Sequence, residues 1–505
     1  MKMVFISFEP LGDVTPSVLI LGTIAAVVWY TFAPKNNIYD AFPRIFDNRV
    51  RALIWPSHVQ DLVWEGYQKI TKPTGKPFTV RWWAKDFLIL PPKYLSSLRD
   101  AEWGHLSFFR TISDAFFLHT SVGDLYDSDS TVQVVTKGLN PRMPQLTPIV
   151  EEEIEYALNA ELNGKPVSHN AQQFFTAIVH RSASRIMIGE ELCRNETFIK
   201  TSTEFVMSIF FTGLIIVKLP LGPLRDWLAY PLAAWHRRKL RQCTRMLRPV
   251  LQRRIEERQK SGGSQNRLDA IEWSLMLVPS GGEIDVPRLL DELMHNLWAG
   301  TSAPGGLVTD IIFQLLLEPK YKEMLVQEAS KARGETGHWT EKALGRLPLL
   351  DSFIREINRL YPTGSITSSR TVCGRPFVFP DGLTLPVGTR FGFPTMAMQN
   401  DAEINFDGFR FAKAQETSEN EESTSASRGA TAMHPTNLAW GYGTHVCPGR
   451  FFAVRMVKMV VATLLLDYDI EWDGHVTHRP SPTLIEGQNI PNLSQRVKVT
   501  KRTER

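Results

Sequence analysis

Trp440-Gly-Tyr-Gly-Thr-His-Val-Cys447-Pro-Gly-Arg450-Phe-Phe-Ala453 is the stretch that decides the fold. It holds glycines at 441, 443 and 449, and a proline directly follows its single cysteine. Glycine at this density allows backbone angles that a side chain forbids and lets the chain approach a ligand closely. Beyond it, Phe451, Phe452, Val454, Val457, Val460, Val461, Leu464 and Leu465 predict a long buried helix over 450–466. The cysteine therefore sits on a Gly-rich turn that feeds a helix N-terminus. There the helix dipole and the free N–H groups favour a thiolate. A cysteine on a turn is ordinarily a buried structural residue, but the fourteen-residue pattern around this one is not ordinary.

A lone thiolate held in this way can be an axial ligand of heme iron. At these residues the chain resembles the cytochrome P450 family. The family signature is an aromatic, two residues, Gly, one residue, a basic residue, one residue, Cys, one residue, Gly. Trp440, Gly443, His445, Cys447 and Gly449 fill it, with Trp for the usual Phe and His for the commoner Arg. The His form followed by Cys-Pro-Gly-Arg-Phe-Phe-Ala is similar to the fungal microsomal branch, and the resemblance covers nearly the whole chain. It implies one large domain, mainly α with a small β portion. It also implies heme b, with Cys447 on the iron and Trp440, Gly441, Gly443, His445 and Gly449 in the cofactor loop.

Composition agrees. The chain has 505 residues, 43% of them apolar, enough for a large core. A net charge of +4 is too mild to point to nucleic acid. Cys193, Cys243, Cys373 and Cys447 are scattered without a CxxC, which argues against a zinc site or a disulfide framework. No Walker loop or GxGxxG is present, so electrons are expected from a separate flavoprotein.

Residues 16–33 are apolar and uncharged, just long enough for a transmembrane signal anchor. Lys35, Arg44, Arg49 and Arg51 follow the span and only Lys2 precedes it. The positive-inside rule then leaves 1–15 lumenal and the body, 34–505, cytoplasmic on the endoplasmic reticulum membrane. Segments 77–80 and 87–90 predict a hairpin, and 377–379 with 383–385 a second one around Pro380-Asp-Gly382. Residues 132–345 read as mainly helical. The uncharged run 206–217 continues into Leu219, Leu221, Leu224, Trp227 and Leu228; it reads either as core or as the family's membrane-dipping F–G region. His236, Arg237, Arg238, Lys239 and Arg241 follow, suited either to lipid headgroups or to a solvated face. Residues 413–434, rich in Glu, Ser and Thr, read as a disordered surface insertion.

Asp351–Leu360 predicts a helix capped by Asp351 or Ser352 and stopped by Pro362. Glu356 and Arg359 share its face. The resemblance makes them the Glu-x-x-Arg pair and adds Arg410 as third member of a structural clamp. It also suggests Arg370 and His445 as partners of the heme propionates, with Lys137 or Arg142 as a further cation. A helix from Val286 or Pro287 to Leu317 is expected to cross the heme's distal face, kinked at Pro304. In its centre the family's acid and Thr slots hold Ser302 and Ala303. Ser302, or failing it Thr301, is then the hydroxyl left for proton delivery. Trp298, Ser365, Ile366, Thr367 and Ile485, with Glu486 beside it, are the expected pocket residues. Arg455 and Lys458 are expected to face the reductase.

The implied activity is that of a heme-thiolate monooxygenase taking electrons from an NADPH-dependent cytochrome P450 reductase. Its substrate would be an apolar small molecule of fungal secondary metabolism, terpenoid or polyketide-derived. The missing acid and Thr also leave room for a heme isomerase, lyase or coupling enzyme. A heme- or lipid-binding membrane protein without turnover is the reading from another class.

Overall fold

The computed structural model describes Gly22 and residues 38–45, 58–163, 167–219, 221, 224–279, 281–334, 337–401, 405–412 and 429–502. The expected anchor, 16–33, lies outside these apart from Gly22, as do 413–428 of the expected insertion.

Strands β1 (Phe78–Trp82) and β2 (Lys85–Ile89) pair antiparallel as the apolar pattern predicts. Their two-residue turn puts Trp83 and Ala84 at φ of 48° and 56°. Both central residues of a tight hairpin turn take positive φ, a conformation that normally selects Asn or Gly. The pair joins β3 (Leu106–Ser107), β5 (Thr367–Val372) and β8 (Arg390–Phe393) in a five-stranded sheet of order β1-β2-β8-β5-β3. Strands β4 (Ser168–Asn170), β9 (Tyr468–Trp472) and β12 (Arg496–Lys501) form a second sheet. β6 (Phe377–Val378) with β7 (Thr384–Leu385), and β10 (Thr483–Ile485) with β11 (Gln488–Ile490), are isolated hairpins.

The remainder is helical. The main elements are α1 (Phe108–Phe116), α2 (Met143–Leu162), α3 (Ala171–Met187), α4 (Glu196–Lys218), α5 (Arg225–Leu232), α6 (Ala234–Ser261), α7 (Val286–Ala299), α8 (Ser302–Leu317), α9 (Pro348–Leu360) and α10 (Arg450–Asp467). Apolar residues cover most of α10, and from Phe452 to Leu465 all but Arg455 and Lys458 are buried. It packs on α8, which in turn packs on α3 and α9, and α6 bridges α4 and α7. One dominant apolar cluster runs through these helices; smaller ones lie around Leu98, Phe391 and Tyr442 and around Phe78, Phe117 and Ile216.

Several expectations are corrected. The long distal helix is two helices, α7 and α8, interrupted at Gly300 and Thr301. Pro304 consequently falls in the first turn of α8, where a missing N–H leaves no intrahelical bond unmade. The clash expected at the Gly300 carbonyl is relieved by the break rather than by a kink. Helix α9 begins at Pro348, not at Asp351. Asp351 instead pairs with Lys458 at 2.5 Å and accepts the Ala430 N–H at 2.7 Å. Residues 429–434 are therefore tied down, with Ala430 and Ala432 buried.

The basic run after α5 is partly tied into the fold, while Arg238 and Arg241 stay exposed. His236 is buried against Ser208, Lys239 pairs with Glu204, and Arg237 donates to the Thr120 carbonyl. Arg455 and Lys458 are likewise paired within the fold, with Glu341 and Asp351. They do not form a free docking face.

Candidate functional site

The Cys447 loop is shaped by backbone bonds. Its N–H donates to the Trp440 carbonyl at 2.8 Å, and Val446 N–H to Gly443 at 3.0 Å. Trp440 Nε1 holds the Ala430 carbonyl at 2.7 Å, and Arg450 Nη1 the Cys447 carbonyl at 2.9 Å. Gly441 and Gly443 have φ of 77° and 75°, and a Cβ on Gly443 would meet the Leu98 carbonyl oxygen at 2.1 Å. Gly449, at φ −84°, only starts α10 and needs no glycine. The thiol lies deep in the protein yet keeps open surface, so the opening is internal. Burial pushes its pKa up, and the N–H groups of Gly449 and Arg450 only partly offset this. The helix N-terminus alone thus does not make the thiolate; a metal on the sulfur would.

Ala299, Ser302 and Ala303 are exposed although Leu297, Thr301, Pro304 and Gly305 around them are buried. Exposure at the junction of two core helices marks space inside the fold. The Ser302 side chain opens onto it. Thr301 does not: it is fully buried and its hydroxyl donates to the Trp298 carbonyl at 3.2 Å, which corrects its candidacy as a proton donor.

Arg370 is fully buried on β5 and meets no acid among the described residues. Its Nη1 and Nη2 donate to the carbonyls of Ser369 and Tyr442, each at 2.8 Å. Burial pulls its pKa down to about 9. His445 stacks on Trp103 with ring centres 3.8 Å apart and engages the Trp103 carbonyl through Nε2 at 2.8 Å. Its Nδ1 is buried without a partner. Desolvation, then the Arg370 charge, draws its pKa down to about 4. The hydroxyls of Ser365 and Ser368 are also buried and unpartnered. A cation without an acid beside orphaned polar atoms is a cradle suited to an anionic group. Lys137 donates to Gln133, and Arg142 to the carbonyls of Lys137 and Gly138, so neither joins this cradle. Arg99, which donates to the Tyr442 hydroxyl at 3.0 Å, is a cation of this loop that sequence reasoning missed.

Glu356, Arg359 and Arg410 are brought together. Arg359 forks onto the fully buried Glu356 through Nε and Nη2, both at 2.8 Å, and Arg410 Nε reaches it at 3.3 Å. Both arginines also hold the Asn405 carbonyl.

The expected pocket residues separate. Trp298 is half-buried, edge-on to Phe116 and His295 at 5.7 and 5.9 Å. Phe116, Phe210 and Trp83 extend this aromatic wall; they sit on three separate elements, so no sequence signal joins them. Ile366 is core beneath Gly392, and the Thr367 hydroxyl is engaged by Thr395 and the Leu438 carbonyl, so both serve packing. Ser365 is pinned to Gly487 by its backbone at 2.7 Å. Ile485 is half-buried at the end of β10, and Glu486 pairs with Lys218 of α4 at 2.6 Å.

A deep cysteine, an inner void and a buried cation without an acid are consistent with an anionic ligand bound through sulfur. Comparison with known proteins agrees. The sequence matches the model of the family "Cytochrome P450" over residues 131–498. It is 36% identical to "Cytochrome P450 monooxygenase sirB" of Leptosphaeria maculans over 86% of this chain and 85% of that one. It is 29% identical to "Ent-kaurene oxidase" of Fusarium fujikuroi over 88% of this chain and 85% of that one. The solved structure "Retinoic acid bound cyanobacterial CYP120A1" matches with a TM-score of 0.67 at 16% identity, covering 91% of this chain and 99% of that one, a likeness of fold.

Proposed function

This chain belongs to the cytochrome P450 family as a fungal monooxygenase, and from that premise we propose that it inserts oxygen into an apolar small molecule of secondary metabolism. The observation that carries the reading is the Cys447 thiol, deep in the fold yet open to internal space, with the acid-free Arg370 on the neighbouring strand. Cys447 would hold the iron of heme b and Arg370 its carboxylates; His445, whose Nε2–H goes to the Trp103 carbonyl, would join them only with a proton on Nδ1. Thiolate-ligated heme, when bound, supplies dioxygen activation.

The chain's own residues do the rest. Arg370 neutralises and orients, and Glu356 with its two arginines stiffens the segment behind the loop. Trp298, Phe116 and Phe210 keep the chamber dry for an apolar substrate. Ser302 is the hydroxyl of the α7–α8 junction that can both donate and accept a proton. Electrons would come from an NADPH-dependent cytochrome P450 reductase.

Membrane association completes the reading. Leu224, Trp227 and Tyr230 are 60%, 81% and 52% exposed, an apolar surface between α4 and α6 that suits a lipid interface. Helix α4 is long and apolar enough to cross a bilayer, but one face of it, with Phe205, Ile209 and Ile216, is buried in the fold. An N-terminal anchor over 16–33 would make the protein single-pass on the endoplasmic reticulum.

The test is expression with an NADPH-reductase under labelled dioxygen. Label in the product and strict NADPH dependence are expected. An unlabelled product formed without NADPH would instead establish the isomerase or lyase reading, which the acid-free α7–α8 junction favours.

A further inference from the structure

His236 on α6 and His295 on α7 are both buried, with ring centres 6.5 Å apart and planes at 81°. Phe205 of α4 packs on both. On each ring one nitrogen is engaged, and Nε2 has no partner.

The protons on these rings can be assigned from their neighbours. Ser208 gives its single proton to the Phe205 carbonyl at 2.6 Å, so at 2.9 Å from His236 Nδ1 its oxygen accepts. His236 thus carries its hydrogen on Nδ1 and offers Nε2 as an acceptor. Tyr126 Oη lies 2.5 Å from His295 Nδ1. The phenol is the better donor and the imidazole nitrogen the better acceptor, so His295 carries its hydrogen on Nε2. Burial keeps both rings neutral, drawing His236 to about 4 and His295 to about 3.

A buried donor and a buried acceptor are therefore both unsatisfied, on rings too far apart to bond each other. Two hydrogen bonds of about 2.8 Å meeting at a tetrahedral oxygen span roughly 4.6 Å, a nitrogen separation that ring centres 6.5 Å apart allow. We propose that one internal water binds between His236 and His295, accepting from His295 Nε2–H and donating to His236 Nε2. Neither ring pairs with an acid among the described residues, and no cluster of metal-binding side chains occurs there, so the occupant is neutral. The water completes a single-direction chain from Tyr126 through His295 and His236 to Ser208 and the Phe205 carbonyl. That chain fastens α7 to α4 and α6, one turn before Ala299 and the internal space.

A crystal structure of the heme-loaded, full-length protein without added ligand, at better than about 2 Å resolution, tests this. One isolated density peak is expected at about 2.7–3.0 Å from both Nε2 atoms. No peak, a peak at about 2.0–2.1 Å from both nitrogens as for a metal, or elongated density of an organic hydroxyl would overturn it. Thermal melts of His236→Leu, His295→Leu and the double variant give an independent reading. Each single change lowers Tm, and the double change lowers it by less than the sum, because the second removes a group already orphaned. Additive shifts would refute a shared occupant.

Discussion

A Cβ on Gly443 would lie 2.1 Å from the carbonyl oxygen of Leu98. The contact is with backbone, which cannot swing aside, and Gly443 also has φ of 75°. Gly443→Ala is expected to destabilise the loop by about 1–3 kcal/mol from overpacking alone and to abolish heme retention. Gly449→Ala meets open space at an ordinary φ, and its stability is expected to change by no more than about 0.5 kcal/mol. Heme content of the two purified variants separates them; equal loss in both would show that the glycines serve something other than backbone shape.

Glu356 has no exposed surface and two cationic partners. Glu356→Ala takes the carboxylate away from the buried Arg359 charge, at a cost of about 3–5 kcal/mol. The variant is expected to accumulate little heme-loaded protein rather than to behave as a well-folded slow enzyme. Arg410, a third exposed and at 3.3 Å, is expected to matter less. A stable, heme-replete Glu356→Ala protein would remove the clamp from the argument.

Arg370 is a buried cation awaiting an anion. Arg370→Met removes the desolvated charge, so the heme-free protein is expected to be as stable as wild type or more so, while heme affinity falls. Urea melts with and without heme read the two effects separately. Parallel destabilisation of both forms would mean that Arg370 serves only the carbonyls of Ser369 and Tyr442.

Acid is expected to unfold this protein early. Burial draws His180, His236 and His295 to about 4, about 4 and about 3. Unfolded, each imidazole takes a proton near its ordinary value of about 6.5. Between those values the unfolded chain binds more protons, so stability falls as pH falls, by up to about 1.4 kcal/mol per pH unit for each ring. The loss begins below about pH 6.5 and levels off below about pH 3–4. Melts of the holoprotein from pH 7 to 4 check this; a flat profile would show that these rings are not held neutral.

At the α7–α8 junction, Ser302 opens onto internal space and Thr301 is held by the Trp298 carbonyl. Ser302→Ala is expected to raise NADPH consumption and peroxide release relative to product. Thr301→Val is expected to leave that ratio unchanged. The reverse pattern would return the proton-delivery role to Thr301.

The relation between sequence and site differs from residue to residue. Cys447 and its loop were legible because a ligand, a tight turn and a helix start must follow one another within a few residues. Glu356 and Arg359 were legible because helical spacing puts them on one face, and Arg410 only because the family resemblance supplied it. Arg455 and Lys458 were misread as docking charges, since their partners Glu341 and Asp351 lie more than a hundred residues away along the chain.

The sequence by itself determined the mainly helical class, the first hairpin and the cysteine loop, all features set by local periodicity, turn chemistry and contiguous pattern. Only the tertiary structure decided that Thr301 is closed and Ser302 open, that α7 and α8 break where Pro304 would clash, and that Arg370 stands without an acid. It alone paired His236 with His295. Burial, void and the absence of a partner are properties of neighbours in space, and no window along the chain contains them.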